Sequence, residues 1–93
     1  MDTPAVDLTK YIETRFFGER PHVRGRRITV AQLAYSMRSQ NWMPQELAFQ
    51  FGLTEAQVLA ALLYYEEHKA EIDAQEAKVR AELDELYEKY GKG

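Results

Sequence analysis

Two helix-opening signals, Thr29 with Gln32 and Thr54 with Gln57, constrain this chain more than any other feature. In each, the threonine hydroxyl can accept a backbone N–H of the first turn, while the glutamine reaches back to the threonine's own N–H. Between them stand Pro44, suited to a first helical position, and Gly52, suited to a left-handed C-terminal cap. These marks predict three short helices: about Val30 to Arg38, Pro44 to Phe51, and one opening after Thr54. Glu46 also suits the positive end of the second helix dipole. The apolar pattern agrees. Val30, Leu33, Ala34 and Met37 fall on one face of the first helix, and Leu47, Ala48 and Phe51 on one face of the second. Val58, Ala61, Leu62 and Tyr65 line the third, with Leu59 and Leu63 widening the stripe. The S-Q-N run after Arg38 ends the first helix. A stripe as broad as the third helix carries implies a central position in the core, or a share in a subunit interface.

From Thr54 to Tyr90 there is neither proline nor glycine, so no residue type stops the helical pattern before the C-terminus. Ile72, Val79, Leu83, Leu86 and Tyr90 recur at heptad-like spacing, with Glu76 interrupting at a core-type position. Such a seam can dock on a partner, fold back on its own domain, or pair with a sister chain. The chain thus divides into a flexible N-terminus (1–10), a folded domain (11–73) and an acidic C-terminal helical extension (74–93).

Ahead of the helices, Tyr11 to Phe17 and His22 to Ile28 have the aromatic and β-branched content of strands, with Gly18 and Pro21 between them. A two-stranded ribbon is marginal alone in water and needs helices or a second subunit to lie on. The fold class expected is mainly α: a three-helix helix-turn-helix core, an N-terminal two-stranded β arm and a C-terminal extension. The arm holds Arg20, Arg24, Arg26 and Arg27, a density of guanidinium groups suited to phosphate. The same cluster is equally consistent with a surface hairpin whose arginines pair with acidic neighbours. In a helix-turn-helix the third helix would read DNA, yet its exposed positions offer Glu55, Gln57, Glu66 and Glu67, with no cation before Lys69. Carboxylates repel phosphate, so DNA contact would fall to Arg20, Arg24, Arg26 and Arg27, with Arg15 and Arg38.

Ninety-three residues suffice for one core and not for two, and 45% hydrophobic content argues against global disorder. The net charge of −3 hides a basic front and an acidic back, as expected of a protein meeting two partners, or two copies of itself, at opposite ends. The absence of cysteine excludes disulfides and thiol chemistry and fits a cytoplasmic protein. No signal peptide and no apolar run of about 18 residues is present, so no membrane is implicated. His22 and His68 lie on different elements, no phosphate-cradling loop occurs, and no nucleophile elbow is present. The expectation is a non-enzymatic protein with no cofactor and no metal. Trp42, Tyr64 and Tyr65 read as core aromatics rather than a base-stacking platform.

Gly18, Pro21, Val23, Gly25, Arg27, Ile28 and Val30, then Glu46-Leu47-Ala48, Phe51-Gly52-Leu53-Thr54 and Ala60-Ala61-Leu62, resemble domain-of-unknown-function family four hundred thirty-three. The R-G-R-R-I-T-V run is the most specific element, and the resemblance covers roughly Tyr11 to Asp73. Met43 stands where the family has a small capping residue. The resemblance implies a homeodomain-like or winged-helix-like core, often dimeric, with Gly25, Arg27, Ile28 and Val30 as architecture. It also implies an antitoxin related to VapB that binds and restrains a PIN-like ribonuclease toxin and meets operator DNA as a homodimer. The toxin would be held by Ile72, Val79, Leu83, Leu86 and Tyr90, with Glu76, Glu82 and Glu85 facing its basic surface. The alternative is a stand-alone helix-turn-helix DNA-binding regulator without a toxin.

Overall fold

The computed structural model describes residues 7–15 and 20–91. Strands β1 (Ile12–Glu13) and β2 (His22–Val23) precede helices α1 (Val30–Gln40), α2 (Pro44–Phe51), α3 (Glu55–Glu67) and α4 (Lys69–Tyr90). The protein is mainly helical, with a small antiparallel sheet near the N-terminus pairing Ile12 with Val23 and Glu13 with His22. The strands are shorter than expected; Phe16, Phe17 and Gly18 lie outside the described residues. After Val23 the chain turns through Gly25, at φ 78°, and returns so that Ile28 O accepts from Val23 N at 2.8 Å. Pro21 O accepts from Val30 N at 2.9 Å, which ties the arm directly to the start of α1.

The expected capping box forms in full at Thr54 and by half at Thr29, where the Gln32 side chain makes no return bond. Thr29 Oγ1 accepts from Gln32 N at 3.0 Å, and at Thr54 both halves of the capping box form. Gly52 closes α2 at φ 65°, and Asn41 closes α1 at φ 56°, so that α1 ends at Gln40, two residues beyond the expected Arg38. Met43 gives α2 no side-chain cap. The axes of α2 and α3 turn through 114° across the Gly52–Thr54 connection.

The core joins Leu33, Leu47, Val58 and Ala61 from the helices to Ile12 and Val23 from the sheet, all buried. The sheet lies on α3, whose buried residues Val58, Ala60, Ala61 and Tyr65 place it at the centre of the fold. Tyr64 and Trp42 pack against this core, and Tyr65 is part of it, as their spacing predicts.

The uninterrupted helical pattern does break, at His68 (φ −125°, ψ 27°). No helix-breaking residue causes this. His68 N donates to Tyr64 O and Tyr65 O, its ring bonds Tyr64 O at 3.1 Å and stacks on the Tyr64 ring at 4.2 Å. Redirecting the chain here lets Ile72 enter the core at 2% exposure. Tertiary burial has outweighed local propensity. Beyond that anchorage α4 runs clear of the body: every residue from Arg80 to Gly91 is exposed. The radius of gyration, 15.1 Å, accordingly exceeds the value of about 12 Å expected for a compact chain of this length. No single helix is long and apolar enough to cross a membrane.

Because Met43 is 72% exposed and leaves the first N–H groups of α2 without a side-chain acceptor, Met43→Asp should add stability. The expected gain is about 1 kcal/mol in urea unfolding, with the slope of the transition unchanged.

Candidate functional site

The arm arginines divide into struts and one outward-facing cation. Arg20 makes a bidentate pair with Glu76, Nε and Nη2 each 2.8 Å from a carboxylate oxygen, and so clamps the arm to α4. Arg24 donates Nε and Nη2 to Thr9 O, at 3.1 and 2.7 Å, and Nη1 to Glu13 Oε1 at 3.2 Å. Arg26 donates to Gly52 O at 2.9 Å and Phe51 O at 3.0 Å. There it satisfies carbonyls that the end of α2 leaves open and meets the negative end of that helix dipole. Arg27 is exposed and has no partner among the described residues. Arg20, Arg24 and Arg26 thus hold the fold together, whereas Arg27, assigned to architecture by the resemblance, faces solvent. Arg15 is exposed, and its charge adds to the field around Glu13.

Beneath the arm, His22 is buried at 1% exposure; its Nδ1 donates to Arg20 O at 2.9 Å. Its Nε2 lies 3.5 Å from Glu13 Oε2. Glu13 accepts from Gly25 N at 3.2 Å, and this bond, assisted by Arg24 and His22, lowers its pKa below the ordinary 4.5. The carboxylate therefore holds the tip of the arm in its turn.

A second polar knot joins three helices. Tyr35 on α1 and Tyr65 on α3 both donate their hydroxyls to Asp73 Oδ1 on α4, at 2.7 and 2.9 Å. Arg38 donates Nη2 to the Tyr65 hydroxyl and sits over both rings, 5.5 Å from the Tyr35 centroid and 5.6 Å from that of Tyr65. The two rings meet edge to face at 6.1 Å. The hydroxyl donors lower the Asp73 pKa below 3.8, while burial, followed by the bond to Asp73, raises those of both tyrosines above 10.0. Arg38 is therefore committed to this knot. The sequence placed Tyr65 in the core without indicating that its hydroxyl needs a carboxylate, and nothing in the spacing singles out Asp73.

Of the five residues expected to hold a partner, Ile72 belongs to the core, because Asp73 beside it is tied down by the two tyrosines. Val79 is half-buried. Leu83, Leu86 and Tyr90 are 53%, 52% and 79% exposed, and Tyr87, which the heptad reading passed over, is 72% exposed. Its position four residues after Leu83 puts it on the same stripe. Glu76 is engaged by Arg20, and Glu82 and Glu85 flank the stripe in solvent. A groove of about 460 Å³ runs along its base, lined in part by Arg20, Tyr35, Val79, Arg80 and Tyr87. Among the described residues no group of three or more acidic or histidine side chains is placed to hold a metal ion.

A small helical domain carrying a β arm and an unpartnered helix is what this geometry defines. The family described as "Protein of unknown function (DUF433)" matches residues 12–65, more than half of the chain, and the chain belongs to it. The match ends within α3 rather than reaching Asp73, so α4 lies wholly outside it. No protein of curated function and no solved structure is significantly similar to the chain.

The two knots predict a bell-shaped dependence of stability on pH. Glu13 and Asp73 have depressed pKa values when folded, so their contribution is present above the unfolded pKa and is lost as pH falls through the folded one. The raised values of Tyr35 and Tyr65 contribute below 10.0 and are lost as pH rises past it. Asp73→Asn should lower the plateau and shrink the acid loss while keeping the alkaline loss, whose main cause is burial. Urea unfolding across pH measures all three.

Proposed function

We propose that this chain is a non-enzymatic, antitoxin-like protein that binds and restrains a ribonuclease toxin of PIN-like fold. The observation that carries the reading is α4: an apolar stripe of Leu83, Leu86, Tyr87 and Tyr90, projecting from a finished core among Glu82, Asp84, Glu85 and Glu88. A helix with one apolar face suits a hydrophobic groove on a partner. Its acidic flanks suit a protein whose working surface is cationic because it must hold RNA phosphates. The kinship to VapB-type antitoxins belongs to this proposal.

A second activity, binding of operator DNA as a dimer, is favoured by the 114° turn between α2 and α3. That angle and the short glycine-containing connection agree with a helix-turn-helix. The exposed face of α3 is acidic at Glu55, Glu66 and Glu67, so Arg27 is the leading phosphate contact. The same features would serve a DNA-binding regulator with no toxin.

With the PIN-fold nuclease of its own operon, the full chain should form a complex and suppress RNA cleavage. Leu83→Glu combined with Leu86→Glu should abolish both without changing the thermal unfolding of the core. Suppression that persists in this variant would overturn the reading. Arg27→Ala should reduce the salt slope of operator binding by about one for each chain bound. Absence of DNA binding at low salt would reject the second activity.

A further inference from the structure

The α4 stripe is complementary to itself. Val79, Leu83, Leu86 and Tyr90 repeat at spacings of four, three and four, the seam of a left-handed helix pair. The seam begins at the buried Ile72 and continues outward without a break in the helix, so the exposed part extends an apolar surface the core has already closed at its inner end.

We infer that two copies of this chain pair through α4 in antiparallel orientation. Centring the pair between Leu83 and Leu86 sets Leu83 of each copy against Leu86 of the other, and Val79 against Tyr90. The flanking positions then bring Glu82 against Lys89 on one side and Arg80 against the Tyr87 ring on the other, each twice by the two-fold axis. Both pairings are attractive. Tyr90 of the second copy arrives at the groove of about 460 Å³ beside Val79 and Tyr35. Within one chain Lys89 is held only weakly: Nζ is 4.0 Å from Glu85 Oε1, and both side chains are more than 60% exposed.

The parallel arrangement is disfavoured by the shape of the molecule. Paired helices lie about 8–10 Å apart, whereas the molecule is 22–24 Å across its narrow dimensions. Parallel helices would bring the two bodies together at the same end, where the stripe runs into the core; antiparallel helices place them at opposite ends. The pairing covers the stripe proposed for the toxin, so toxin and sister helix compete for it. The inference does not depend on the toxin reading.

Sedimentation equilibrium of the full chain alone tests the pairing, and disulfide trapping tests its register, since the chain has no cysteine of its own. A reversible dimer is expected, and Leu83→Glu should make it monomeric with unchanged core unfolding. Lys89→Glu should weaken it by about tenfold, and adding Glu82→Lys should restore it. When a Leu83→Cys chain is mixed with a Leu86→Cys chain, the mixed disulfide should form ahead of either symmetric one. A monomer at every concentration, a dimer indifferent to Leu83→Glu, or preferential symmetric disulfides would each overturn the inference.

Discussion

The Asp73 carboxylate accepts hydrogen bonds from the hydroxyls of Tyr35 and Tyr65, and the course of the C-terminal third of the chain follows from those two bonds. They join α1, α3 and α4 at one point. With Asp73 held, Ile72 is drawn into the core, the helix must break at His68, and α4 leaves the body along a fixed line. Arg20 adds a second hold one turn further on, through Glu76. Past Val79 every described residue of the helix is exposed. Its own composition sustains it, rich in Ala, Glu, Lys and Leu, and helices of this length are marginal in water without a covered face.

The arm shows how one residue type can serve opposite ends. Arg24 and Arg26 both satisfy main-chain carbonyls, the first binding the short turn at Leu8–Lys10 and the second finishing α2. Their planar, many-donor groups suit that work for the same reason they would suit phosphate. Arg27, between them and α1, keeps its charge in solvent. A cluster that suggests an anion-binding surface is thus mainly internal bracing, with the outward charge concentrated at fewer points.

The helical core was legible because capping is a local chemical event. Thr29, Thr54, Pro44 and Gly52 mark boundaries by their own hydrogen bonds and torsions, and α1, α2 and the start of α3 lie where those residues put them. The break at His68 was not legible, since it arises from the burial of Ile72 and from what Asp73 finds at Tyr35, 38 residues back along the chain. The roles of Arg20, Arg24 and Arg26 were hidden for the same reason: their partners Glu76, Thr9 O and Gly52 O are brought near by folding. Spacing did identify the exposed stripe of α4, and erred at its inner end, where Ile72 shares the period of the seam but serves the core.

In the proposed reading, α4 beyond Val79 is an interaction helix whose order depends on what covers it. Amide hydrogen exchange, read residue by residue across a dilution series, addresses this most directly. Protection from Val79 to Tyr90 should rise with concentration, and rise further when a partner is added, while the amides of Leu33 and Val58 stay unchanged. Exchange along α4 that is independent of both concentration and partner would show that this helix is no interaction surface.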